Sequence, residues 1–107
     1  MSLDITLTEV KQVEVYSANI THNLVPMAES AGLYLPLWHP EDMQIYLAGE
    51  LVFWLEEGIE VLKSDPDYFK EMNPKNGWGS YDTFVPWLEN LLANCKEHPT
   101  AKIDSLC

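Results

Sequence analysis

The stretch Ile5-Thr6-Leu7-Thr8-Glu9-Val10-Lys11-Gln12-Val13-Glu14-Val15-Tyr16 decides the fold. Ile5 and Leu7 alternate with Thr6 and Thr8, and Val13 and Val15 alternate with Gln12 and Glu14. A period of two marks a half-buried strand. The phase slips around Val10 and Lys11, which predicts either a bulge or two short strands. At the other end, residues 101–106 read as a short strand with Ala101, Ile103 and Ser105 on one face. Between the two ends the chain reads as helices and turns. The expectation is a single α+β domain over residues 1–107. The chain ends supply a small two- or three-stranded sheet, and three to four helices pack against it.

Working inward from the ends, helical periodicity takes over. Leu24, Met27, Ala28 and Ala31 share one side of a predicted helix that Gly32 closes. Pro26 fits best in its first turn, because proline has no N–H to leave unpaired there. Residues 34–40 carry two prolines and read as a loop. Pro40-Glu41-Asp42 then predicts the start of a long helix reaching about Ser64. On a wheel of about 100° per residue, Leu47, Leu51, Trp54, Leu55, Gly58, Ile59, Val61 and Leu62 fill a wide apolar arc, which predicts contact on two sides. Asp65-Pro66-Asp67 ends that helix and starts a short one. Asp82 is the predicted N-cap of a last helix, whose stripe is Phe84, Leu88, Leu91, Leu92 and Cys95.

Composition narrows the function classes. Seventeen acidic residues face six lysines, with no arginine, for a net charge of −11. Such a chain repels nucleic acid and anionic membrane surfaces, so neither is expected as a direct partner. Without arginine it also lacks the bidentate fork that commonly holds phosphate or carboxylate. No apolar run approaches the roughly 20 residues of a membrane-spanning helix. The start, Met1-Ser2-Leu3-Asp4, has no basic or apolar signal pattern. A cytoplasmic protein with free thiols at Cys95 and Cys107 is expected.

Two polar blocks concentrate the groups that recognise ligands. Tyr16-Ser17-Ala18-Asn19-Ile20-Thr21-His22-Asn23 supplies hydroxyls, two amides and an imidazole where a strand gives way to a helix. Helix N-termini leave N–H groups unpaired, so a polar ligand can dock there. The plainer role for Ser17, Asn19 and Thr21 is to cap that helix. In the second block, residues 73–81, Asn73, Asn76, Gly77 and Gly79 surround Trp78, and Tyr81 follows. An aromatic ring held out by tight turns can stack on a flat ligand; the plainer role for Trp78 is to plug the core. Leu37-Trp38-His39-Pro40 is a weaker candidate, in which Trp38 walls a pocket or packs on Trp54 or Trp87. The glutamate face around Glu50 to Glu60 can meet a basic partner or simply be solvated.

These blocks, with Leu24, Met27-Ala28, Pro66 and Phe69, resemble a family of small uncharacterised bacterial and bacteriophage proteins. The shared features are YSANITHNL and NPxNGWGxY, and the resemblance runs from about Val13 to Ile103. It implies a bacterial or phage setting and carries no catalytic residue across.

The leading expectation is a non-enzymatic domain that binds a small polar molecule or a peptide. Asn19, His22 and Asn23 would hydrogen-bond, Trp78 and Tyr81 would stack, and Tyr16 would complete the site. The second is an acidic module for a protein partner or for self-association, of the kind phages use against bacterial defence. Tyr46 and Phe53 would be its anchors among Glu50, Glu56, Glu57 and Glu60. The third is a small enzyme using His22. No nucleophile, metal or phosphate-loop motif supports catalysis, and no cofactor or metal is expected.

Overall fold

A computed structural model describes residues 2–9 and 13–106. The fold is α+β, with a three-stranded antiparallel sheet built from the chain ends and five helices against it. Strands β1 (Ser2–Thr8), β2 (Glu14–Thr21) and β3 (Lys102–Leu106) lie in the order β2-β1-β3. The helices are α1 (Val25–Ser30), α2 (Tyr34–Trp38), α3 (Ala48–Ser64), α4 (Pro66–Lys70) and α5 (Tyr81–Glu97).

The alternation in β1 sends Leu3, Ile5 and Leu7 into the core, all fully buried. Leu3 pairs with Ile20, Ile5 with Ala18 and Ser105, and Leu7 with Tyr16 and Ile103, so these residues share the helix-covered face. Asp4 and Thr6, paired with Asn19 and Ser17, share the opposite face. Among the described residues, the irregularity in the hairpin falls between Leu7 and Thr8. There the partners jump from Tyr16 to Glu14, leaving Val15 as the extra residue. The slip expected at Val10–Lys11 lies outside the described residues.

Several boundaries differ from the sequence reading. The strand does not stop at Tyr16 but runs through Thr21, so most of the first polar block is sheet. Residues 34–38 form a helix despite Pro36, which sits in the first turn, where proline needs no intrahelical donor. Pro40–Met43 is only a 3₁₀ turn, and Gln44 ends it in the left-handed region at φ 58°. Residues 45–47 then return to the sheet. Leu47 bridges Lys102, and Ile103 N–H donates to the Tyr46 carbonyl at 3.0 Å. Helix α3 therefore starts at Ala48. Glu50 Oε1 accepts the Tyr46 and Leu47 N–H groups at 3.0 and 2.9 Å, and these bonds hold its carboxyl below the usual range.

The N-cap of α5 is Ser80 rather than Asp82. Ser80 Oγ accepts the Thr83 N–H at 3.3 Å, and Thr83 Oγ1 accepts the Ser80 N–H at 3.0 Å. Pro86 consequently lies inside the helix, and the Asp82 carbonyl forgoes its usual donor.

Helices α3 and α5 run antiparallel, with Lys63 on Glu89 at 2.6 Å near one end and Lys96 on Glu56 at 2.9 Å near the other. Both pairs are exposed and contribute little. The stripes do more: Leu51, Leu55, Ile59 and Leu62 meet Phe84, Leu88, Leu91 and Cys95 in one core. Burial pushes the Cys95 thiol up to about 12, so it stays protonated and packs as a small apolar group. The buried arc of α3 is narrower than expected, since Val61 is exposed.

Gly58 sits where α3 crosses the turn before α2. A Cβ there would overlap Leu33 Cγ, with Cδ2 at 2.5 Å and Cδ1 at 2.6 Å. Leu33 is fully buried and has no room to retreat. Gly→Ala in a helix ordinarily gains about 1 kcal/mol. Here Gly58→Ala is expected to lower stability by about 1–2 kcal/mol net, because overpacking outweighs that gain. Urea denaturation tests the sign, and a Gly58→Ala/Leu33→Ala protein should lose less than the two single losses added.

Candidate functional site

The site begins with the parity of β2. Ala18 and Ile20 point inward, so Ser17, Asn19 and Thr21 stand on the opposite face. Asn19 Nδ2 donates to Ser2 Oγ at 2.8 Å and to Asp4 Oδ1 at 2.5 Å. Both amide hydrogens are thereby used, which fixes the side chain and leaves Oδ1 as an acceptor. Thr21 ends the strand: its Oγ1 accepts the Asn23 N–H at 3.2 Å and turns the chain into the 3₁₀ segment His22–Leu24. Leu24 drops into the core and is fully buried.

The second block is held by its asparagines. Asn73 Oδ1 accepts the Tyr81 N–H at 2.7 Å, and Asn76 Oδ1 accepts the Trp78 N–H at 3.0 Å. The Asn76 bond is an Asx turn that holds the chain at the base of Trp78. Gly77 and Gly79 follow at positive φ, 79° and 92°. Gly79 is also the point where the two blocks touch. A Cβ there would lie 2.7 Å from Thr21 Cγ2 and 3.0 Å from Leu24 Cγ. Only a residue without a side chain permits that approach.

The contact closes a surface cleft of about 610 Å³. Asn19, His22 and Asn23 line it from the first block, Asn76 and Trp78 from the second, and Ser2 and Thr21 complete it. The volume falls within the range of small-molecule sites. Trp78 is 69% exposed, unusual for the largest side chain. His22 has its ring 6.1 Å from that of Trp38, and its buried Nε2 makes no hydrogen bond within the protein among the described residues. None of the described residues lining the cleft is Asp, Glu or Lys, although the chain carries a net charge of −11.

Two tyrosines expected at the site are elsewhere. Tyr81 is only 8% exposed; its hydroxyl donates to the Leu62 carbonyl at 2.9 Å, tying α5 to α3. Its ring is core, not a stacking plate. Tyr16 is half-buried on the helix-covered face. Burial, and then the neighbouring Cys95, raise its hydroxyl above the ordinary value. Thr21 and Asn76, named above within the two blocks, also line the cleft, and Ser2 joins it from outside both. The signal for Ser2 was its register opposite Thr21, which only the paired sheet reveals.

The third candidate is internal. Trp38 is buried and stacks on Tyr34 at 5.8 Å, and His39 Nε2 lies 3.2 Å from the Tyr34 hydroxyl.

The acidic face is looser than a single helix side. Tyr46 precedes α3, Glu50 is engaged in capping, and Glu56 pairs with Lys96. Phe53, Glu57 and Glu60 remain exposed on the helix.

Among the described residues no cluster of three or more His, Cys, Asp or Glu could hold a metal ion, and no helix is long and apolar enough to cross a membrane. Comparison with protein-family models, curated proteins and solved structures finds no match for this chain.

Gly79→Ala should separate the two blocks. Strain at positive φ costs about 1–2 kcal/mol, and the methyl group would have to displace Thr21 or Leu24. The expected result is a loss of about 2 kcal/mol or more of stability. Amide shifts at Thr21, His22 and Trp78 should move together in an NMR spectrum, while those of β3 stay in place.

Proposed function

We propose that this protein is a non-enzymatic binding domain whose ligand, a small polar molecule or a peptide segment, enters the cleft between Trp78 and the Asn19–Asn23 corner. The observation that carries this reading is the cleft itself. Two blocks more than fifty residues apart are brought together by the Gly79 contact, with an exposed indole on one side and side-chain amides on the other. That combination of one apolar plate and a few placed polar groups is how small-molecule sites obtain both affinity and orientation. On this reading the ligand is one met in a bacterial or infected cell, the setting that the resemblance implies.

A thermal-shift screen of metabolites and short peptides tests the reading. A ligand at 100 times its Kd should add about 2.7 kcal/mol of stability. Trp78→Ala and Asn23→Ala, both at exposed positions, should keep the fold and weaken binding of any hit by roughly tenfold each. A hit whose affinity ignores both substitutions would sink the proposal.

A second reading has one observation in its favour: Phe53 and Tyr46 are 58% and 55% exposed, and Glu57 and Glu60 are exposed on the same helix as Phe53. Exposed aromatic rings rimmed by charge are anchors for a partner. In that case a basic peptide captured by the protein should be released by Phe53→Ala and by Glu57→Gln/Glu60→Gln, with capture also weakening in salt. Capture unchanged in both variants removes this reading.

A further inference from the structure

Apart from the His22 imidazole, the described residues lining the cleft carry no ionisable side chain. A phosphate or carboxylate ligand would find no lysine among the described lining residues and would enter against a net charge of −11. Among the described lining residues an ammonium ligand would find no carboxylate; Asp4 stands behind Asn19, whose Nδ2 donates to it. What remains, beside the His22 imidazole and two hydroxyls, is a set of amides that offers both acceptors and donors. Asn19 presents Oδ1, because both its hydrogens are used on Ser2 and Asp4. Asn76 presents Nδ2, because its Oδ1 holds the Trp78 N–H. Asn23 keeps its whole side-chain amide, since only its backbone N–H is engaged. Acceptors and donors side by side suit hydroxyl groups, each of which both gives and takes a hydrogen bond.

The plate beneath them is one-sided. Trp78 makes no ring contact among the described residues, and the His22 ring packs toward Trp38 instead. A single plate suits a sugar ring, which lays an apolar C–H face on it and turns a rim of hydroxyls to the amides.

We propose that the ligand is a neutral saccharide, lying with its C–H face on Trp78 and its hydroxyls on Asn19, Asn23 and Asn76; this rests on the binding reading above and narrows it to a chemical class.

The test is an NMR titration of the isotope-labelled full chain with three sets of probes at millimolar concentration. These are neutral pyranoses and their disaccharides, the matching uronic acids, and nucleosides. The expected result is a shift of the Trp78 indole N–H and of the Asn19, Asn23 and Asn76 side-chain amides with at least one neutral sugar. Affinity should fall at least about tenfold for the uronic acid, through repulsion, and stay within about twofold across a tenfold change of salt. Trp78→Phe should retain binding within a few-fold and Trp78→Ala should lose it about tenfold or more. Both variants alter an exposed side chain, and circular dichroism confirms that they fold. A nucleoside that moves the same signals while no sugar does overturns the saccharide assignment and leaves the cleft as a binding site. A sugar that binds with no loss in Trp78→Ala also overturns it. No response at the cleft from any class, together with an empty metabolite screen, overturns both readings.

Discussion

The double pairing of β1, antiparallel to β2 on one edge and to β3 on the other, fixes which residues of all three strands share a face. Its three leucine and isoleucine side chains are fully buried, so the register has one acceptable phase. A slip of one residue would bring Asp4 and Thr6 into the core. The same phase decides the site. With Leu3 opposite Ile20, Asn19 and Thr21 must stand on the other face, and Asn19 must meet Asp4. Two ends of the chain thus set the position of a cleft that they only partly line.

What the sequence made legible follows from side chains whose burial has one periodicity. Leu24, Met27, Ala28 and Ala31 are all buried, as are Phe84, Leu88, Leu91 and Cys95. Such stripes survive errors of a residue or two at the ends. The first polar block was harder, because Ser17, Asn19 and Thr21 are residues that cap helices, and they sit here on a strand's solvent face. Ala18 is small and Ile20 alone is a strong strand former, so the alternation was faint. The same blindness hid the break at Gln44. Nothing local demands a left-handed residue there; the demand comes from Tyr46 and Leu47, which must reach β3. Tyr81 illustrates the opposite error. Its neighbours Gly79 and Ser80 suggested a surface loop, yet helix α5 begins at Tyr81 and carries its ring inward.

Most of the acidic side chains lie away from the cleft, with Asp4 behind Asn19 the exception. The acidic side chains are distributed over α3, α4 and the open surface, with few internal partners to neutralise them. The described residues of the cleft lining contain none of them. Repulsion keeps such a chain dispersed and turns anions away at long range, while hydrogen-bonding groups of the kind that line the cleft act by contact. The absence of arginine matters in the same way. A single guanidinium beside Trp78 would stack on the indole and occupy the plate.

The cleft is also organised before anything enters it. Asn19 is held by two hydrogen bonds, the loop at Trp78 by the Asn76 Asx turn, and the loop behind it by Asn73 and by the Ser80–Thr83 cap. The asparagine bonds engage one end of each side-chain amide and leave the other end without a protein partner among the described residues. A ligand therefore meets groups whose rotamers are already chosen, and less ordering free energy is spent on binding. The arrangement costs the free protein something: Trp78 leaves most of a large apolar surface in water, and the Gly77–Gly79 turn gives up backbone freedom to reach Thr21. Packing Trp78 inward would recover part of that cost, and the Asn76 turn works against it. Stability on its own gives no reason to leave an indole in water beside the cleft, and the proposed recognition would supply one.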